Sequence, residues 1–141
     1  MDIPRFHLAF PVHDLKMARA FYVDALGCGT GRYSDKWIDF DLYGHQIVAH
    51  LAPEDCRPGN KNEVDGDQVP SSHFGVILLW EKWKELSEII INKEIEFLIK
   101  PKARFKDSYG EQVNFFISDP SGNVLEFKTF RNDDDIFKNF N

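Results

Sequence analysis

The chain has 141 residues, of which 43% are hydrophobic and 14% aromatic, including 13 Phe; this suffices for one packed globular domain and argues against disorder. A formal net charge of -6 disfavours a nucleic-acid partner, no apolar stretch reaches the roughly 20 residues of a membrane span, and Met1-Asp2-Ile3-Pro4-Arg5 lacks the apolar run of a signal peptide. Cys28 and Cys56 form neither a disulfide framework nor a metal-like pair, so a cytoplasmic protein with free thiols is expected.

His7 opens an apolar strand, His7 to Val12. Asp14 is positioned to cap a helix whose apolar residues, Leu15, Ala18, Phe21, Tyr22, Ala25 and Leu26, recur at helical spacing until Gly27. Trp37 to Leu42 alternates as a half-buried strand. Tyr43-Gly44 makes a tight turn, and His45 to Leu51 returns as the partner strand. A two-residue turn fixes the register, pairing Leu42 with His45, Asp41 with Gln46, Asp39 with Val48 and Trp37 with His50.

Residues 53–70 carry Pro53, Pro58, Gly59, Gly66 and Pro70 without periodicity and read as a connector. His73 then opens a second apolar run, His73 to Leu78, followed by a helix from about Glu81 to Asn92 with Trp83, Leu86, Ile89 and Ile90 on its apolar face. Trp80 and Trp83 are expected in the core. Strands are predicted near Glu96 to Ile99 and Val113 to Ser118, with a longer loop around Lys100 to Gln112. Asp119-Pro120-Ser121-Gly122 has the residues of a type I turn. The last strand runs from Asn123 to Thr129, and the acidic tail, 131–141, is expected to be solvated.

The chain thus states one pattern twice. The predicted fold is α+β, with two βαβββ modules related by pseudo-twofold symmetry and sheets curving around a central cavity. Module 1 spans about 5–52 and module 2 about 71–130, within a single domain, 1–141. Side chains alternate along a strand. In each of four strands a His or Glu lies opposite the apolar, helix-facing side: His7, His50, His73 and Glu126. Imidazole nitrogen and carboxylate oxygen suit Fe, Mn, Co, Ni or Zn, and two His with one carboxylate leave positions open for substrate or dioxygen. His50 is either a fourth ligand or a general base. His13 and His45 fall off this register.

The paired modules, the His-led first and fifth strands, the Ala20-Phe21-Tyr22-Val23-Asp24-Ala25-Leu26-Gly27 helix end and the Asp119-Pro120-Ser121-Gly122-Asn123-Val124-Leu125-Glu126-Phe127 ending resemble the glyoxalase/bleomycin-resistance/extradiol-dioxygenase group, the vicinal oxygen chelate superfamily. The resemblance covers nearly all of residues 5–130. It implies a divalent metal that binds two neighbouring oxygens of a small substrate. His7, His73 and Glu126 match the two His and one Glu of the ring-cleaving members. Bacterial glyoxalase I has a Glu where this chain has His50, and the ring-cleaving enzymes tend to have a Tyr where this chain has Asn114-Phe115-Phe116. Bleomycin-binding members use the fold without a metal.

Around this core, Trp37, Asp39 and Phe116 are candidate substrate contacts. Asp39 either orients His50 or belongs to a solvated strand face. Arg104 either clamps an anionic group from a loop or belongs to a charged strand edge, Lys100 to Lys106. Three functions follow: a dioxygenase or lyase with His50 and Glu126 as catalytic groups, a non-catalytic small-molecule binder, or an antibiotic-resistance protein that opens an epoxide. In the resembling group the modules close on each other or on a second chain, so the resemblance is compatible with closure within one chain and with a homodimer.

Overall fold

The computed structural model describes residues 2–139, so Met1 and the last two residues of the predicted tail lie outside it. The chain divides into two compact units. One holds residues up to Pro58 together with the turn Asp119–Asn123; the other holds Gly59–Ser118 and the chain from Val124 onward. Among the described residues, no helix is long and apolar enough to cross a membrane.

In the first unit, β1 (His7–Val12), β2 (Gly29–Tyr33), β3 (Trp37–Leu42) and β4 (His45–Leu51) form one sheet in the order β1-β4-β3-β2. β1 runs parallel to β4 and the other pairs are antiparallel. The β3–β4 register is the one the Tyr43-Gly44 turn dictates, from Leu42 opposite His45 to Trp37 opposite His50. Tyr43 and Gly44 both have positive φ, 51° and 89°, as a type I′ hairpin requires.

Helix α1 (Leu15–Arg19) starts at Asp14, whose carboxylate accepts from the Met17 amide at 2.9 Å. It widens into a π-turn over Ala20–Ala25, which the helical spacing does not reveal. Phe21 and Tyr22 are buried there. Tyr22 stacks on Phe40 with ring centroids 5.0 Å apart and lies beside Phe10, so the core gathers on the side of the sheet that carries Ile38, Phe40, Leu42, Ile47 and Ala49.

The turn at Asp119 completes this unit. The Gly122 amide donates to the Asp119 carbonyl at 3.1 Å, closing the turn that the sequence predicts. The Asp119 carboxylate accepts from the Ser121 and Asn123 amides and from the Tyr22 hydroxyl, the last at 2.8 Å. Burial, reinforced by the Asp119 charge, raises the Tyr22 phenol well above its ordinary value and keeps it a donor.

The second unit repeats the topology. β7 (Phe97–Arg104), β8 (Gln112–Ser118) and β9 (Val124–Phe130) form an antiparallel sheet in that order. The extended segment 73–78 lies parallel to β9 on its free edge, with Phe74 facing Leu125 and Ile77 facing Lys128. Helix α2 (Trp80–Asn92) buries Trp83, Leu86 and Ile90, and the Trp83 indole donates to the Phe127 carbonyl at 2.8 Å. Ile89, expected on the apolar face, is exposed. Trp80 lies under the Arg131 guanidinium, 4.9 Å from the ring centroid.

Two expectations are corrected here. The connector is not structureless: β5 (Lys61–Val64) and β6 (Asp67–Pro70) form a hairpin about Asp65-Gly66, both at positive φ. The predicted loop at Lys100 begins later, because β7 continues to Arg104 through two register shifts that absorb its extra residues. The tail is exposed over most of its described residues, as expected, and makes a 3-10 turn, Asp133–Asp135, where Asp135 accepts from the Gly110 amide at 3.1 Å.

Candidate metal centre

Two of the sequence-predicted ligands meet in the second unit. His73 Nε2 lies 3.1 Å from Glu126 Oε1. His73 is held by its other nitrogen: Nδ1 is 2.7 Å from the Pro70 carbonyl, which can only accept, so Nδ1 carries a hydrogen and Nε2 is the atom turned to the carboxylate. The edge of the His73 ring also meets Phe116, with centroids 5.1 Å apart. Phe116 stands directly opposite Glu126 across β8–β9 and is buried. In this unit its role is to pack the pair.

Electrostatics favour a charged pair. The hydrogen bond with Glu126 raises the His73 pKa, against burial, and the Pro70 carbonyl adds to the rise. Burial alone would raise Glu126. The His73 hydrogen bond, the Lys128 charge and the Asn114 hydrogen bond outweigh it, and the carboxyl sits below its ordinary value. Both shifts favour the ionised forms, imidazolium and carboxylate.

His7, in the first unit, is oriented in the same way. Its Nδ1 is 2.7 Å from Gln46 Oε1, and Gln46 Nε2 lies 3.5 Å from Asp39 Oδ2. A carboxylate only accepts, so the Gln46 amide nitrogen turns to Asp39 and its oxygen to His7. His7 thus carries a hydrogen on Nδ1, and Nε2 is the ring nitrogen turned away from Gln46. Asp39 acts on this imidazole through Gln46, and no such bond joins it to His50.

His50 is exposed, opposite Trp37 in β3 and Pro11 in β1. The two registers show how it relates to Glu126. His7 faces Gln46, and two residues on Ala9 faces Val48. Phe74 faces Leu125, which puts Gly75 opposite Glu126. Counted from the leading His of each module, Glu126 matches Val48, and His50 matches Lys128, one pleat farther along the same face.

Arg104 is neither on a loop nor at a solvated edge. It is 2% exposed and its donors are engaged by Asn114, the Val64 carbonyl and Asp67. Sequence reasoning missed Asn114, Gln46 and Lys128. Asn114 Nδ2 donates to Glu126 Oε2 at 3.0 Å, and Lys128 Nζ lies 3.5 Å from the same oxygen. The available signal was strand parity: Lys128 shares a face with Glu126, and Asn114 pairs with Lys128. Among the described residues, no group of three or more His, Cys, Asp or Glu is gathered at one point. The His73–Glu126 pair brings one imidazole nitrogen and one carboxylate oxygen together, donor types that fit the ions named above.

The chain is similar to known proteins in sequence and in fold. The sequence profile described as Glyoxalase/Bleomycin resistance protein/Dioxygenase superfamily matches residues 6–127. A glyoxalase/bleomycin resistance protein/dioxygenase from Alicyclobacillus acidocaldarius is 32% identical, with 95% of this chain and 96% of that chain covered and a TM-score of 0.78. At 17% identity, the likeness to two further structures shows the fold alone. A fosfomycin resistance protein from Listeria monocytogenes is covered over 94% of its length and 92% of this chain, with a TM-score of 0.64. A lactoylglutathione lyase from Agrobacterium tumefaciens is covered over 92% of its length and 89% of this chain, with a TM-score of 0.59. No curated protein matches the sequence.

Proposed function

Because the chain belongs to the glyoxalase/bleomycin resistance protein/dioxygenase superfamily, we propose that it is a metal-dependent enzyme acting on a small substrate with vicinal oxygens, by dioxygenase or lyase chemistry. The observation that carries this reading is the His73 Nε2–Glu126 Oε1 approach of 3.1 Å, with the far nitrogen of His73 tied to a carbonyl. His73 and Glu126 would hold the ion, and His7, whose Nδ1 is held by Gln46, is the third ligand of the proposal. A bound Fe, Mn, Co, Ni or Zn ion would supply Lewis acidity toward two neighbouring oxygens.

The protein's own groups do the rest. Pro70 and Gln46 fix the two imidazoles, so little reorganisation accompanies binding. Buried Phe116 keeps water from one side of His73. His50 lies one pleat past the position matched to Glu126, so it is assigned proton transfer rather than ligation. Trp37, its cross-strand neighbour, is the aromatic contact proposed for substrate. Arg104 is committed to Asp67 and Asn114, and Lys128 is the partly exposed cation beside Glu126.

Elemental analysis of untagged protein tests the proposal. Wild type is expected to carry about one metal ion per chain, Glu126→Ala to lose it and His50→Gln to keep it. Iron would direct the search to catechols and related diols; nickel, cobalt, manganese or zinc would direct it to lyase substrates. No metal after incubation with each ion would overturn the enzyme reading and leave a non-catalytic binding module.

A further inference from the structure

We infer that Asn114 is a positioning residue for Glu126, and that Arg104 and Asp67, on β7 and the β5–β6 hairpin, set its orientation. The inference rests on the metal-site reading of His73 and Glu126. It concerns which carboxylate oxygen is offered, a property that ligand identity alone does not fix.

Asn114 is 3% exposed and contacts both neighbours through its amide. Arg104 Nε donates to Asn114 Oδ1 at 3.1 Å. A guanidinium has no acceptor, so the oxygen must face Arg104 and the NH2 group must face Glu126. That NH2 donates to Oε2 at 3.0 Å, with Lys128 Nζ at 3.5 Å from the same atom. Oε2 is thereby occupied, and Oε1 is the oxygen left toward His73. The reversed amide would set Oδ1 against Oε2 with no hydrogen between them.

Arg104 in turn is held from the connector. Its Nη2 donates to Asp67 Oδ2 at 2.7 Å and its Nη1 to the Val64 carbonyl at 3.0 Å. Lys102 Nζ reaches the same Asp67 oxygen at 3.1 Å. The fork geometry fixes Nε once both terminal nitrogens are engaged. The hairpin therefore reaches Glu126 through three consecutive side chains, Asp67, Arg104 and Asn114. It is part of the site's support, although no residue of the hairpin is a ligand.

The test is titration of metal-free protein with Co2+, read by visible absorption, on wild type, Asn114→Leu and Arg104→Lys, with near-UV circular dichroism to confirm folding. Asn114→Leu keeps the volume and removes both amide contacts. Arg104→Lys keeps the charge but has no Nε to set the amide. Co2+ affinity is expected to fall roughly 10–100-fold in the first and roughly tenfold in the second, with a displaced visible band in both. A residue that only supports the fold would leave the band in place. Folded variants with wild-type affinity and spectrum would overturn the inference. A wild type that binds no Co2+ would overturn the metal-site reading first, and this inference with it. Should the variants fail to fold, the Asn114 side-chain 15N–1H signals of the wild type decide: they are expected to move when Zn2+ is added, and unmoved signals in metal-bound protein would refute the role.

Discussion

Gly75→Ala is expected to destabilise the protein by about 3 kcal/mol or more, lowering the melting temperature by roughly 10 °C. A β-carbon at this position would fall 1.6 Å from the Glu126 carbonyl oxygen and 2.7 Å from its carbon. Those are backbone atoms of a sheet strand and cannot swing aside as the end of a side chain can. The segment 73–78 must instead withdraw from β9. Withdrawal breaks the bonds from the Phe74 amide to the Val124 carbonyl and from the Glu126 amide to the Phe74 carbonyl. It also carries His73 away from Glu126, so metal binding should fall together with stability. Gly59→Ala is the control: nothing lies within 4 Å of the place its β-carbon would take, and melting should be unchanged. An unaltered melting curve for Gly75→Ala would show that the close approach of segment to strand is not a feature of the folded protein.

Asp119→Ala is expected to cost about 3–4 kcal/mol, through a different mechanism. The carboxylate is 4% exposed and accepts from the Ser121 and Asn123 amides at one oxygen and from the Tyr22 hydroxyl and Asn123 Nδ2 at the other. Alanine leaves the Tyr22 hydroxyl, on a side chain with 0% exposure, with no acceptor in place of the carboxylate. It also removes the side-chain bonds that shape the turn. Tyr22→Phe should cost only about 1 kcal/mol, because Asp119 keeps its other donors. Urea denaturation of the two variants checks the order, and equal losses would place the energy in the Tyr22 contact alone rather than in the turn.

Much of the fold was legible because local chemistry settled it. Tyr43-Gly44 fixed the β3–β4 register residue by residue, Asp14 capped α1, and the Asp119 turn closed as its residues dictate. The repeat of an apolar run led by His7 and then by His73 exposed the duplication, since strand periodicity is carried by burial. What failed had physical causes. β2 is exposed along its whole length, so no alternation marks it. Asp65-Gly66 was a hairpin signal, overlooked because the surrounding prolines and polar residues suggested only a linker.

The candidate site was legible to the extent that strand parity governs it. Parity put His73 and Glu126 on the faces away from the helices, and the second unit brings the two together. It did not give Arg104 a buried position. Lysines at 100, 102 and 106 suggested solvent, whereas the acids that hold Arg104 lie on a hairpin nearly 40 residues earlier. Nor did parity separate His50 from the position matched to Glu126, because residues two apart share a face and only the parallel register distinguishes them.

Whether His73 and Glu126 share a metal ion is decided by crystals of cobalt- or zinc-loaded protein, measured at the metal absorption edge. An anomalous difference peak is expected about 2.0–2.2 Å from His73 Nε2 and from Glu126 Oε1. Loaded crystals with the peak on other residues, or with His73 and Glu126 still bonded to each other and no peak between them, would refute the shared ion.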